Sequence, residues 1–331
     1  MKKYRAMIDS IGSHYPAKIV NNFDLEKKVD TTDEWIRVRT GMFERRFTSE
    51  TEAASDLAFK AAENAIYASN TTRVKDIEMI IVTTISGDHA FPATACIIQK
   101  KLGLKDIPAF DVSAGCSGFI YGLDIAKLYI ESGLVGTILV VGVEILTKLI
   151  NWDDRGTAVL FGDGAGAAIV KRVEGNGISE IIDSKITSDA SEWELLFQKA
   201  GGSRFPASKE TVENNWHTIY MEGNKIFKHA VKAMCNVSMD VLKRNNLSLK
   251  DVDWIIPHQA NNRIIEAVAE RFNAPMSKVI VTIDRFANTS SASVPMAMTE
   301  AVKEGKIRRG DVVILTAFGA GLTFGATLLR Y

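Results

Sequence analysis

The chain has 331 residues, 46% of them hydrophobic, with 40 basic side chains against 40 acidic ones. That balance suits a globular protein with room for one large core or two domains, and it offers neither nucleic acid nor an acidic membrane surface an electrostatic reason to bind. No apolar run approaches the ~20 residues of a membrane helix, the start MKKYRAMIDSIG lacks the apolar core of a signal peptide, and Cys96, Cys116 and Cys235 are widely spaced with no CxxC pair; the sequence therefore suggests a reducing cytoplasm with no disulfide framework and no metal site.

From the N-terminus, Ile77–Thr84 (IEMIIVTT) reads as a short β-branched strand and Thr94–Leu102 as a helix. A strand from Ile107 to Val112 breaks at small residues in DVSAGCSGFIYGL (111–123), presents Cys116, and gives way to a helix from about Ser117 to Glu131. Thr137–Gly142 reads as the next strand, and FGDGAGA (161–167), which lacks the lysine of a phosphate loop, as a tight turn between strands. This alternation predicts the α/β class, with a largely buried sheet covered by helices.

The second half repeats the first. VKDIEMII (74–81) returns as LKDVDWII (249–256), and ESGLVGTILVVG (131–142) finds its counterpart in KEGKIRRGDVVILTAFG (303–319). Each leading segment is followed by a helix, a Val/Ile strand, a polar-small turn, a second helix and another strand. A period near half the chain indicates a duplicated domain, with expected halves at 1–174 and 175–331.

Duplication gives Cys116 a context. The counterpart of its turn is DRFANTSSASVPMAM (284–298), which carries Asn288, and the counterpart of the Thr83–Thr84 strand end is IIPHQAN (255–261), which carries His258. Three chemically capable groups thus fall at strand ends or helix starts of matching halves, where α/β sheets place their sites. Read singly, each has a plain structural explanation: a buried cysteine packs, a histidine after an apolar strand is hydrogen-bonded in the core, and an asparagine before a helix is a cap. Read together, a cysteine at a helix N-terminus is placed to be a thiolate nucleophile, and a neutral amide is suited to stabilise an oxyanion. The glycines of AFGAGLTFGA (317–326) fit either a hairpin or a backbone N–H brought close to a reacting carbonyl.

DVSAGCSGF, PHQANNRI and ANTSSASVP, in this order, resemble the thiolase-fold condensing enzymes, and most closely the β-ketoacyl-acyl-carrier-protein synthase III family. The resemblance extends through VDTTDEWIRVRTGMFERR (29–46), HAFPATACIIQ (89–99), DRGTAVLFGDGAGAA (154–168), MEGNKIFKHAV (221–231) and AFGAGLTFGATLLRY (317–331). It implies a duplicated five-layered αβαβα fold, a homodimer, and a decarboxylative Claisen condensation. Cys116 would take an acyl group from acyl-CoA, and malonyl-acyl-carrier protein would supply the attacking enolate. His258 and Asn288 would bind the enolate oxygen, and the backbone at Cys116 and Gly319, Ala320 and Gly321 the first oxyanion. The resemblance also implies that Thr31, Trp35, Arg39 and Arg155 hold the nucleotide end of CoA, while Gly223, Phe227, Ala260, Asn261 and Arg263 line the pantetheine path. Phe161 would line the acyl pocket, Phe91 would reach across the dimer, and Lys228, Arg263 and Arg271 would meet the acidic carrier. No cofactor is implied; the CoA thioester is a substrate.

Departures from the family pattern are specific. Ala287 and Ala320 stand where glycine is usual, Phe324 where tryptophan is common, and Glu270 where lysine is frequent; added methyls at turns restrict φ and intrude toward a ligand, which leaves the acyl starter open. Segment 185–217 is longer than usual and reads either as a reshaped pocket mouth or as a surface insertion. Among rivals, a Cys-His-Asn hydrolase leaves the duplication unexplained, and a degradative thiolase needs a second cysteine that 317–326 lacks. A non-catalytic acyl-CoA binder fits poorly with three retained polar groups. A specialised synthase of the same fold, serving secondary metabolism or a biotin precursor with another starter, is the alternative to initiation of fatty acid synthesis.

Overall fold

Strands β1 (Ala6–His14), β2 (Met79–Thr83), β3 (Ala109–Val112), β4 (Thr137–Ile145) and β5 (Asp163–Arg172) form a five-stranded sheet in the order β1-β5-β4-β2-β3. Strands β6 (Glu180–Ser188), β7 (Trp254–Pro257), β8 (Val312–Gly319) and β9 (Thr323–Arg330) form a four-stranded sheet in the order β7-β8-β9-β6. The computed structural model describes residues 4–173 and 178–331, so the expected boundary between 174 and 175 lies outside the described residues.

The pairing in the two sheets repeats. In the first, β2 is parallel to β4, β4 antiparallel to β5, and β5 antiparallel to β1. In the second, β7 is parallel to β8, β8 antiparallel to β9, and β9 antiparallel to β6. The first sheet's outermost strand, β3, pairs in parallel with β2. Its expected counterpart, the Val/Ile run after Lys278, is reduced to a single parallel bridge between Ile255 and Val279. That run turns immediately into the Gln259 amide, whose Oε1 takes the Thr282 N–H at 2.9 Å, and into the helical turn Ile283–Phe286.

Helices fill three layers around the sheets. They are α1 (Asp33–Thr40), α2 (Ala54–Ala68), α3 (Thr94–Lys101), α4 (Gly118–Ser132), α5 (Gly223–Arg244), α6 (Asn262–Arg271) and α7 (Ser293–Lys303). Successive side chains of a strand point to opposite faces, and the core obeys this. Ile80 and Val82 pack with Leu57, Ala58, Ala61 and Ala65 of α2, whereas Met79 and Ile81 pack with Phe119, Ile120 and Leu123 of α4. On the second sheet, Val313 and Leu315 join the central cluster with Val294, Ala297 and Met298 of α7, whereas Ile314 packs outward with Met234 and Val237 of α5 and Ile265 and Val268 of α6. The stack is thus helix, sheet, helix, sheet, helix: the five-layered duplicated αβαβα thiolase fold. Both sheets are covered on both faces, which is why their strands read as near-continuous apolar runs. Helix α7 lies in the central layer and is buried all round from Ser293 to Ala301.

One sequence expectation fails here. FGDGAGA does not turn; residues from Asp163 onward run straight into β5. Its glycines serve packing instead, since a Cβ on Gly164 would lie 2.5 Å from Met296 Sδ and one on Gly166 would lie 2.7 Å from Pro295 Cβ. They let α7 lie directly on the sheet. The three cysteines are unpaired. Among the described residues no helix is long and apolar enough to cross a membrane, and no cluster of His, Cys, Asp and Glu could hold a metal ion.

Candidate active site

Strand β3 ends at Val112, and a short turn, Gly115–Ser117, holds Cys116 two residues before α4 begins at Gly118. The turn is clamped to the β8–β9 hairpin of the other half: Ser117 Oγ donates to Thr323 O at 2.9 Å, and Thr323 Oγ1 donates to Ala114 O at 2.7 Å. Gly319 makes the contact sterically possible, because a Cβ there would lie 2.4 Å from Cys116 N. The glycine-rich C-terminal run is therefore both a hairpin and a backbone approach to the cysteine.

Cys116, His258 and Asn288 open onto one cavity of about 1130 Å³. His258 follows β7; its backbone N–H donates to Thr316 O at 2.8 Å, and its Nδ1 lies 2.6 Å from Ser293 Oγ at the start of α7. Ser293 Oγ accepts the Gln259 N–H at 3.3 Å and has its own proton to give to Nδ1, the tautomer in which the ring hydrogen sits on Nε2. Burial pushes the imidazole pKa down to about 3, so the ring is a neutral donor across the physiological range. Asn288 Oδ1 accepts the Ser290 N–H at 2.8 Å, which fixes the amide flip and leaves Nδ2 as the free donor. Its backbone is tied to the acyl-side wall, Asn288 N–H donating to Leu160 O and Gly162 N–H to Asn288 O.

The thiol differs from expectation. Burial pushes Cys116 up to about 12; a hydrogen bond from Ser290 works in the opposite direction, and the Glu144 carboxylate pushes it up further. Burial of the sulfur thus opposes the thiolate that a helix N-terminus favours.

The other expected contacts divide. Trp35, Arg39, Arg155, Phe161, Gly223, Phe227, Lys228, Ala260, Asn261, Arg263, Ala320 and Gly321 all line the same cavity. The Trp35 ring has Arg39 and Arg155 guanidinium carbons each 4.7 Å from its centroid, a flat aromatic and cationic surface suited to a base. Asn261 also caps α6, accepting the Arg263 N–H at 2.9 Å and donating to Arg39 O at 3.1 Å, so it fixes the position of the Arg39 segment. Thr31 is not in the lining, and its buried Oγ1 has no hydrogen-bond partner. Arg271, exposed at the end of α6, and Phe91, 85% exposed, are also outside it.

The long segment splits. Trp193, Leu196, Phe197 and Gln198 line the cavity, and Leu196–Gln198 pairs with Ile219–Met221 to form its rim. The remainder packs on itself, with Lys199 Nζ 3.2 Å from the Trp216 ring centroid and Trp216 against Phe205. Phe324 stacks on Phe318, a cavity residue, at 6.3 Å and 19° between planes. Ser290, Ser293 and Glu144 were not singled out from sequence. Only Glu144 left a signal: it is the one charged residue in the apolar run TILVVGVEI.

Family models describe 3-oxoacyl-[acyl-carrier-protein] synthase III over residues 110–190 and the C-terminal part of that synthase over residues 242–331. The chain is 50% identical over 331 residues to the β-ketoacyl-[acyl-carrier-protein] synthase III of Caldanaerobacter subterraneus subsp. tengcongensis, covering 100% of this chain and 99% of that one. With the Clostridioides difficile enzyme of the same name it shares 49% identity over 327 residues, 99% of this chain and 98% of that one. The crystal structure of 3-oxoacyl-[acyl-carrier-protein] synthase III from Aquifex aeolicus superposes with a TM-score of 0.91 at 44% identity, covering 98% of this chain and 100% of that one. Identity at this level over the whole length, on the same fold, places the chain in the β-ketoacyl-[acyl-carrier-protein] synthase III family.

Proposed function

We propose that the chain is an acyltransferase that condenses an acyl-CoA starter with malonyl-acyl-carrier protein, releasing CO₂ and giving the 3-oxoacyl-carrier product that initiates fatty acid synthesis. The observation that carries this reading is the meeting of Cys116, His258 and Asn288, from both halves of the fold, on one cavity whose far wall is the Trp35–Arg155 surface. In the first stage the Cys116 sulfur attacks the thioester carbonyl, the backbone at Cys116 and residues 319–321 holds the oxyanion, and CoA leaves. In the second, malonyl decarboxylation generates an enolate whose oxygen is met by His258 Nε2–H and Asn288 Nδ2–H. Both are neutral, preoriented donors, as developing negative charge requires. The carbanion carbon then attacks the acyl-cysteine and Cys116 is released.

Thr31, Trp35, Arg39 and Arg155 would hold the CoA nucleotide, Gly223, Phe227, Ala260, Asn261 and Arg263 the pantetheine arm, and Phe161 the acyl group. Lys228, Arg263 and Arg271 form the basic surface offered to the acidic carrier protein. The reading includes a homodimer: β3 is paired on one side only, and the exposed Phe91 would close the acyl pocket of a second copy. The two stages balance with thiol, imidazole and amide alone, so no resident cofactor is invoked, and three free cysteines suit the cytoplasm.

The test is intact-protein mass after mixing with straight, branched and dicarboxyl acyl-CoAs, followed by malonyl-acyl-carrier protein. An adduct absent in Cys116→Ala and discharged as 3-oxoacyl-carrier product is expected. An adduct that persists in Cys116→Ala would sink the assignment.

A further inference from the structure

The largest completely buried side chain among the described residues belongs to a cation, Arg45. Its hydrogen bonds go to neutral oxygens: Nη1 donates to Asn22 Oδ1 at 2.7 Å and lies 3.5 Å from Val20 O, and Nη2 donates to Val159 O at 3.0 Å. The adjacent Glu44 pairs with Arg46 instead, at 3.2 Å, and the buried Arg45 Nε has no partner. A buried charge with no opposite charge against it is costly, and an apolar side chain of similar length would fill the space more cheaply. The guanidinium therefore calls for a reason in what its rigid fork joins.

It joins two walls of the cavity. On one side Val159 lines the cavity, and the next residue, Leu160, accepts the Asn288 backbone N–H at 2.9 Å. On the other side stands Asn22, itself buried, whose Nδ2 donates to both Asp33 Oδ1 and Met42 O at 2.9 Å. Asp33 is the first residue of α1, and Met42 follows the Gly41 turn that ends it at φ +76°. One amide thus holds α1 at its beginning and just past its end, and Arg45 fixes which way that amide points. Between those two points α1 carries Trp35 and Arg39, both in the cavity lining. Further holds on α1, from Glu26 Oε1 to the Asp33 N–H and from Asn261 Nδ2 to Arg39 O, are exposed contacts; the buried one runs through Asn22.

We propose that Asn22, held by Arg45, is a positioning residue for acyl loading. It sets the Trp35–Arg39 surface at a fixed distance from the wall that carries Asn288, so that a thioester anchored by its nucleotide end presents its carbonyl at Cys116. Such registration matters because a misplacement of about 1 Å, caused far from the chemistry, can cost about 10²-fold in rate. A positioner of this kind differs from a simple brace of the fold in what its loss spares. Losing a brace weakens the reaction of every donor. Losing the positioner weakens only donors that reach the α1 surface, because there the binding energy of a remote group is what holds the reacting end in place. A thioester that stops at pantetheine has no such group.

The inference rests on the proposed binding of the CoA nucleotide at Trp35, Arg39 and Arg155, and the test separates the two. Loading of Cys116 is followed by mass at a series of donor concentrations, with one acyl group carried either on CoA or on pantetheine alone. The wild type is expected to load from acyl-CoA at much lower donor concentration. Asn22→Asp keeps an acceptor for Arg45 but takes both amide hydrogens from α1 and sets a second carboxylate beside Asp33. Asp33→Ala leaves the Arg45–Asn22 bond intact and removes the acceptor at the start of α1; it decides the matter if Asn22→Asp does not fold. Each variant is expected to lose about 10-fold in loading efficiency with acyl-CoA and to stay within about twofold of wild type with acyl-pantetheine. Asp33→Asn breaks the 3.4 Å pair with Arg37 but keeps an oxygen for Asn22 Nδ2, and it is expected to recover acyl-CoA loading to within about threefold of wild type. Equal losses with the two donors would show that Asn22 is only a brace. Wild-type loading from acyl-CoA in Asn22→Asp or Asp33→Ala, or an Asp33→Asn variant as poor as Asp33→Ala, would also overturn the proposal. A wild-type enzyme that loads both donors alike would instead break the reading of the α1 surface as a nucleotide site, and this inference with it.

Discussion

The β4 end of the first half and the β7 end of the second half both lie at the carboxyl ends of strands, one in each sheet, yet they bury opposite kinds of chemistry. The first half buries the Glu144 carboxylate, which accepts from hydroxyls of both halves, Thr84 and Ser86 of the first and Ser290 and Ser291 of the second. Around Asn288 the second half places His258, a neutral ring whose Nδ1 is occupied by Ser293 and whose Nε2–H only donates. The difference matches what the two stages of the proposed reaction would need. Acyl loading must dispose of a thiol proton, whereas decarboxylation must receive a negative charge that has no proton attached. The two halves of one fold have thus diverged in what they bury.

If that division is right, the second half can be damaged without harming the first. Asn288→Ala and His258→Ala are each expected to acylate within a few-fold of wild type, while condensation from preformed acyl-enzyme falls by ~10²–10³, the usual loss of one preorganised oxyanion donor. Rapid-quench assay of the two stages separately reads this directly, and equal losses in both would erase the distinction. Ser293→Ala sharpens it, because the Ser293 hydroxyl touches the back of the imidazole and the Gln259 N–H and lies outside the cavity lining. Freeing Nδ1 lets the proton choose either nitrogen, and a loss of about tenfold in condensation alone, equivalent to one hydrogen bond, is expected.

The same comparison has a consequence for stability. His258 is held below its unfolded value, so between pH 6.5 and about 3 the unfolded chain binds the extra proton; its contribution is present above 6.5 and is lost as pH falls. Glu144 is held above its unfolded value, so its contribution is present below 4.5 and is lost as pH rises through about 7. Between pH 4.5 and 6.5 the two contributions have opposite slopes and largely offset each other, so wild-type urea midpoints are expected to change little from pH 4.5 to 8.5. His258→Gln should leave a midpoint that falls as pH rises from 4.5 to about 7, and Glu144→Gln one that rises over the same range. A Glu144→Gln variant whose midpoint stays level from pH 4.5 to 7 would mean that this carboxyl titrates elsewhere.

Much of this was legible before the structure. The repeat from VKDIEMII to LKDVDWII marked the duplication because β2 and β7 need the same apolar faces on both sides of a covered strand. Cys116, His258 and Asn288 stood out because they are polar residues at matching strand ends. What was hidden depends on contacts between segments far apart in sequence. Gly164 and Gly166 read as a turn because the sequence does not reveal that Pro295 and Met296 press on them. The thiol read as activated because a helix N-terminus is local whereas burial is global. Ser290 and Ser293 were lost among the four hydroxyl residues of a cap-and-turn stretch, N-T-S-S-A-S, and only their partners, Glu144 and His258, distinguish them.

Ala287 offers the finest test of how the second half is held. It immediately precedes Asn288 and sits at φ +54°, ψ −154°, a conformation in which a Cβ is strained. Its N–H is bonded to Ile283 O, and the next residue is fixed at both backbone groups to Leu160 and Gly162, so the turn cannot relax without moving the catalytic amide. Ala287→Gly removes the strain of about 1–3 kcal/mol but loosens the unfolded chain by up to about 1 kcal/mol. The net expectation is a stabilisation of about 1 kcal/mol, seen as a higher urea midpoint with an unchanged slope. Condensation should stay within twofold of wild type, because the bonds that aim Asn288 come from Leu160, Gly162 and Ser290 rather than from the methyl group. Were the glycine variant stabler but slow in condensation alone, the methyl itself would be aiming the amide, and the preorganisation of the second half would extend one residue further than its hydrogen bonds indicate.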